Sequence, residues 1–301
     1  VPGQPDRALA TQGHALLVLS FARIFFVDLN AEQEIAHVSV RLITVSLLAA
    51  IYYYQAFSAP PETSRMRTAF LWFGTAAVAS LLRFELDIAW VAVAWAAMVV
   101  ALDITGRRLS ITTLRQQACL LTLLVGMRCA LDNFYQTGAW RFTNFRAITV
   151  TLAALLLYIP LALALREKRR GGQDRVEISG RLAPLRRVWR WVNEHPRLLF
   201  FFVPTLLLTV LLSLEVRRGY LTVAWGVEAL IVFAATLKLG ERSYRWFSLG
   251  LLLLCVGRIV TVDVWALDPL GRIFSFLALG AALLLVSYLY ARYRELLRKY
   301  L

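Results

Sequence analysis

Arginine, aspartate and a second arginine recur three times along the chain in the same order. The sets are Arg23, Asp28 and Arg41; Arg128, Asp132 and Arg146; and Arg258, Asp263 and Arg272. Residues of these types at this spacing suit three kinds of chemistry. Opposite charges brought together can staple two helices. A row of guanidinium groups can line a path or a seat for an anionic or polar substrate, or meet lipid headgroups. Outward aspartates can serve in glycosyl transfer to or from lipid-linked sugars. The count favours the staple, because a single active site rarely needs three equal copies.

One further carboxylate stands apart. Glu228 interrupts the apolar stretch 224–235. An ionisable residue in such a place is a functional candidate by default, as part of a polar path for a transported solute. Glu85 and Glu215 read as interfacial, at the ends of apolar runs. His14 and His37 read as satisfied or interfacial side chains, and His195 as solvated. Cys119, Cys129 and Cys255 lie in apolar runs without CxxC or metal-ligand spacing, so they read as small buried hydrophobes. No nucleophile elbow, zinc-protease helix motif, phosphate loop or dinucleotide fingerprint is present. No cofactor is expected, and a non-enzymatic role is favoured over catalysis by scattered carboxylates.

The elements that position these charges are apolar. The chain has 301 residues, 59% of them hydrophobic and 17% charged, with a mean hydropathy of +0.62. A soluble domain carries about 25% charged residues, so this surplus cannot be hidden in one aqueous core. Runs such as 147–165 and 198–214 hold no charge. About 20 apolar residues match the hydrocarbon thickness of a bilayer. The runs are near-continuous rather than alternating, so they read as helices and not as barrel strands. Ten spans are expected, near 11–29, 38–57, 66–83, 87–104, 116–133, 144–165, 198–214, 219–238, 246–264 and 270–291.

Net charge is +14, which in a soluble protein would point to nucleic acid. Here the basic residues sit between apolar runs, so they read as topology signals, with membrane lipids as partners and no nucleic acid. The connector 166–197 holds ten Lys/Arg against four Asp/Glu. The connectors around Arg67, Arg107 and Arg245 and the tail from Arg292 to Lys299 are also basic. With ten spans these all fall on one side, which places both termini in the cytoplasm. Within the connector, 184–195 reads as an amphipathic interfacial helix, with Leu185, Val188, Trp189 and Val192 on one face. The start at Val1 suggests a fragment or a processed chain.

The chain is internally repetitive. A shift of 130 maps Glu85 to Glu215, Trp95 to Trp225, Arg128 to Arg258 and Tyr158 to Tyr288. A shift of 105 maps Arg23 to Arg128, Arg41 to Arg146 and Tyr53 to Tyr158. Two kinds of helical hairpin therefore alternate as A-B-A-B-A. The A hairpins lie near 11–57, 116–165 and 246–291, and the B hairpins near 66–104 and 198–238. All A hairpins enter from the same side, as parallel repeats do. Within each A hairpin the aspartate ends one helix and the second arginine opens the next. Each opposes its helix dipole, by up to about 1 kcal/mol at an exposed end. Pairing across the hairpin turn would remove both penalties. The embedded arginine, about 6–8 Å deeper at 1.5 Å per residue, must face protein, water or an anionic ligand.

Residues 245–294 resemble the closing segment of the bacterial family known as domain of unknown function 2339. The resemblance rests on Arg258, Asp263, Arg272, Ser275, Phe276, Gly280, Leu283, Leu284, Tyr288, Leu289 and Tyr290. It implies a large multi-pass membrane protein, often with more spans than these, and carries no activity with it. The reading that follows is a multi-pass protein of a bacterial inner membrane. It would scaffold or handle an envelope component, with lipids, other membrane proteins or an anionic envelope component as partners. A transporter with a path near Glu228 and a glycosyltransferase or polymerase are the alternatives.

Overall fold

The computed structural model describes residues 7–26, 34–35, 38–58, 64–136, 138–140, 143–169, 196–217, 220–239, 242–263 and 269–292. Asp28, His37, His195, the expected interfacial helix 184–195 and the tail beyond Arg292 lie outside the described residues.

Ten α-helices of seventeen residues or more are described. They are α1 (Arg7–Phe26), α2 (Val40–Ser58), α3 (Ser64–Glu85), α4 (Ile88–Arg108), α5 (Thr112–Leu131), α6 (Phe145–Arg169), α7 (Pro196–Glu215), α8 (Leu221–Leu239), α9 (Arg242–Arg258) and α10 (Pro269–Arg292). A π-helical turn, Ile259–Asp263, extends α9. Among the described residues, six stretches are long and apolar enough to cross a membrane: Val40–Ser58, Ile88–Arg108, Thr112–Tyr135, Phe145–Arg166, Pro196–Glu215 and Tyr244–Val262. The helical membrane class follows from them, because a helix satisfies its own backbone groups without water.

The chain divides into two compact units, Val1–Leu121 and Thr122–Leu301. In the first, α2 packs along α3. Phe21 of α1 lies 4.4 Å from Phe73 of α3, ring centre to ring centre. In the second, α6 packs along α7 and α9 along α8. Phe201 stacks on the fully buried Tyr244 at 4.0 Å, and the Tyr244 hydroxyl donates to the Arg197 carbonyl at 3.1 Å. A further core joins Ala229 and Phe233 of α8, Leu252 and Cys255 of α9, and Leu279, Ala282 and Val286 of α10. Cys119, Cys129 and Cys255 are free and buried.

Two short antiparallel ladders are the β-structure among the described residues. Glu34–Ile35 pairs with Val38–Ser39, and Ala139–Trp140 with Thr143–Asn144. Each leads directly into a helix, α2 or α6. The second ladder is the first displaced by 105 residues, register included.

The α4–α5 turn is tight. The Ser110 N–H donates to the Arg107 carbonyl and the Ile111 N–H to the Gly106 carbonyl at 2.9 Å, the paired bonds of a Schellman cap. A Cβ at Gly106 would come within 2.9 Å of Arg115 Cγ and 3.2 Å of the Arg115 backbone nitrogen. Ser110 sits at φ 55°, the left-handed region where a Cβ costs roughly 1–2 kcal/mol. Relief of that strain outweighs the added freedom of the unfolded glycine. Ser110→Gly should therefore raise the melting temperature in detergent, by about 0.5–1 kcal/mol of stability; an unchanged or lower value would contradict the cap.

Candidate functional site

The first ladder delivers Ser39 to the start of α2. The Leu42 N–H donates to Ser39 Oγ at 3.0 Å, capping the helix. The Ser39 hydroxyl in turn donates to Glu85 Oε1, at the far end of α3. Arg41, one residue into α2, donates to the same oxygen from Nε at 2.9 Å. Its guanidinium lies 5.8 Å from the centre of the Phe84 ring. The second ladder repeats this. Asn144 donates from Nδ2 to Glu215 Oε2 at 2.8 Å, and Arg146 from Nε to Glu215 Oε1 at 2.8 Å. Arg146 also donates to the carbonyls of Phe134 at 3.2 Å and Leu214 at 3.3 Å.

These two clamps have one electrostatic cause. A glutamate ending a helix and an arginine opening one each oppose the local dipole. The antiparallel pairs α2–α3 and α6–α7 bring such ends together, so each charge neutralises the other's misfit. Burial raises the Glu85 carboxyl, but hydrogen bonds from Ser39 and Arg41 and the Arg41 charge outweigh it and hold the group below its ordinary value.

The expected partner differs. Arg146 pairs with Glu215 of the following helix rather than with Asp132 across its own turn, and Asp132 pairs with Arg128 one helical turn earlier. The turn is built otherwise. Asn133 and Phe134 form a short 3₁₀ segment, and buried Asn133 donates to the Thr149 hydroxyl at 3.1 Å. Arg23 lies in the last turn of α1 and is exposed. Arg258 lies over the Trp225 ring at 5.4 Å, a cation–π contact within the protein. Arg272 is half-buried near the start of α10. The described residues include the Asp263 backbone but not its side chain.

Deeper in each helix pair, the Tyr53 and Thr75 hydroxyls are 3.0 Å apart and the Tyr158 and Thr205 hydroxyls 2.9 Å. The Trp95 indole donates to the Ala79 carbonyl at 2.9 Å, and the Trp225 indole to Thr209 at 3.0 Å. At Gly74 a Cβ would meet the Tyr53 ring at 3.1 Å; the position displaced by 130 is Pro204, inside α7.

The two copies differ in their interiors. In the first, Thr75 donates to buried Gln117 at 2.8 Å; the residue displaced by 130 from Gln117 is Phe247. In the second, Glu228 stands where the first has Met98. Thr209 donates to Glu228 Oε1 at 2.8 Å. Glu228 Oε2 is buried and has no hydrogen-bond partner among the described residues. Beside it lies a cavity of about 670 Å³ between α6, α7 and α8. Tyr158 and Thr151 are its other polar side chains, and the rest is Leu161, Phe201, Leu208, Val227, Ile231 and similar apolar groups.

One charged pair escaped the sequence reading. Asp103 is buried within α4 and accepts from Arg107 Nε at 2.6 Å. The i, i+4 spacing is the signal for it, although Arg107 also belongs to the basic connector that follows α4. The residues displaced by 130 are Phe233 and Leu237, so no repeat pointed to it.

A family model described as "Predicted membrane protein (DUF2339)" matches residues 117–293. No curated protein and no solved structure matches the chain.

The clamps yield two predictions. Glu215→Arg should destabilise the protein in detergent by about 1–3 kcal/mol, because it leaves Arg146 facing a like charge. Adding Arg146→Glu should recover much of that loss; a double variant as unstable as the single one would deny the pairing. Glu85 is lowered in the folded state, so its contribution is present above its unfolded value, about 4.3, and fades as pH falls through the folded value. The melting difference between wild type and Glu85→Gln should therefore be full near neutrality and shrink in acid. A difference constant with pH would remove the ionised carboxylate from the clamp.

Proposed function

The chain belongs to the DUF2339 family of predicted membrane proteins, and we propose that it holds an apolar envelope component within the bilayer. The component sits in the cavity between α6, α7 and α8, with Glu228 as its polar contact. The surrounding protein is a scaffold of ten spans in A-B-A-B-A order. It lies in a bacterial inner membrane with both termini in the cytoplasm, and the arginine–glutamate clamps act as its staples. Its partners are membrane lipids and other membrane proteins.

The observation that carries this reading is the cavity. Its volume, about 670 Å³, falls in the range of small-molecule sites, roughly 300–1,000 Å³. Its wall is apolar apart from a few convergent polar groups, and one of them, Glu228 Oε2, is buried and meets no donor among the described residues. An acyl or polyprenyl tail would fill the apolar part, and a hydroxyl or amine on the ligand would meet the free oxygen. The same wall argues against a wet path for a polar solute. Asp132 is engaged by Arg128, which argues against it as a free carboxylate for sugar transfer.

Native mass spectrometry of the protein extracted gently from its membrane tests this. Wild type should carry a lipid that survives desolvation. Ala224→Trp, which fills the cavity from α8, should lose it while its melting temperature changes little. Glu228→Leu should retain less of it or exchange it faster. Identical lipid occupancy in wild type and both variants would rule out the cavity as the site.

A further inference from the structure

The second copy differs from the first by a matched pair. Displaced by 130, Thr209 and Glu228 stand where the first copy has Ala79 and Met98. The frame around them is shared, because the Trp95 indole donates to the Ala79 carbonyl and the Trp225 indole to the Thr209 carbonyl. An acid and its donor thus replace two apolar side chains on one scaffold.

The charge of that acid has no counterpart in the cavity. Among the described residues that line it, none is Lys, Arg or His. Tyr158 is committed elsewhere: the Thr205 hydroxyl donates to the Phe201 carbonyl at 2.6 Å, so the Tyr158 hydroxyl donates to Thr205. α9 and α10 meet α8 at Ala229 and Phe233, and the titratable side chain in that core is Cys255. Arg258 of α9 lies over Trp225, and Arg272 and Arg292 stand near the two ends of α10. A carboxylate buried in an apolar wall without a counter-charge is costly. The site is therefore neutral in one of two ways, with a proton on Glu228 or with a cation beside it.

Thr209 serves both states. Its hydroxyl has one proton and two acceptors in reach, Glu228 Oε1 at 2.8 Å and the Thr205 carbonyl at 3.0 Å. When Glu228 is ionised, the hydroxyl donates to Oε1. When Glu228 is neutral, its own O–H donates to Thr209, whose proton turns to the Thr205 carbonyl. Either way Oε1 and Thr209 are satisfied, and Oε2 is the atom that meets no donor among the described residues.

We infer that the cavity takes a lipophilic ammonium ion in exchange for a proton on Glu228. This rests on the cavity reading and adds the chemistry of the ligand's head. On binding, the Glu228 O–H bond breaks and the proton leaves to water. The ammonium donates an N–H to Oε2, and its charge replaces that of the proton. The alkyl part lies against Leu208, Leu212 and Ile231. Val227 and Ile231 line the cavity yet are 50% and 65% exposed, so it opens at that face of α8 and an alkyl chain enters there. A neutral alcohol supplies a hydrogen bond but no charge, and so displaces no proton.

Two probes of equal chain length test this on the full chain in lipid nanodiscs, counted above empty discs. Dodecylamine is protonated throughout a pH series from the carboxylate range to mild alkali; dodecanol carries a donor and no charge. Wild type should bind dodecylammonium with an affinity that rises by up to about tenfold per pH unit until Glu228 is ionised, then levels off. In weak buffer this binding should release up to one proton per chain, and dodecanol binding none. Glu228→Gln should keep dodecanol, bind dodecylammonium at least tenfold more weakly and lose the pH dependence. Ala224→Trp should lose both probes. Dodecylammonium binding that ignores pH, releases no proton or survives Glu228→Gln would overturn the inference; dodecanol binding that Ala224→Trp blocks would then leave the cavity reading standing. If neither probe distinguishes wild type from Ala224→Trp, the cavity reading fails and the inference with it.

Discussion

A charge placed at the wrong end of a helix needs a partner, and the end of a neighbouring antiparallel helix can supply one. Arg41 and Arg146 open helices, where the dipole repels a cation; Glu85 and Glu215 close them, where it repels an anion. Alone, each placement is unfavourable. Set side by side by an antiparallel helix pair, they become a charge-assisted hydrogen bond with additional donors from Ser39 or Asn144. The pairing fixes which helix lies against which, and at what height. The tyrosine–threonine and tryptophan–carbonyl bonds then fall at matching depths in both copies.

The ladders belong to this device. They hold the residue that precedes each helix so that its side chain reaches the glutamate of the neighbour. Ser39 and Asn144 differ in chemistry, yet both offer a donor at that point. What is preserved between the copies is the function of the position within the frame, not the residue type.

Inside the frame the copies part ways. The first fills its interior with a buried hydrogen-bonded glutamine and keeps a methionine at position 98. The second has a phenylalanine and a glutamate at the corresponding positions, prolines within α6 and α7, and a cavity. A proline inside a helix removes a backbone bond and disturbs close packing. Pro160 and Pro204 lie next to the Tyr158–Thr205 contact, at the helix pair that walls the cavity.

The sequence by itself determined the class. Apolar runs as long as a bilayer is thick can only be helices in lipid, and that inference needs no coordinates. It also determined which residues correspond, because Tyr53 and Tyr158, or Glu85 and Glu215, keep their displacement whatever the packing. Partners were a different matter. Asp132 is near Arg146 in sequence, and proximity along the chain suggested a bond across the turn. Only the tertiary structure placed Glu215, sixty-nine residues away, closer. The 3₁₀ segment after α5 and the approach of α7 decided that geometry, and neither leaves a signal in residue spacing. The void beside Glu228 was equally invisible, since a cavity is the difference between side-chain volume and the space that three helix axes enclose.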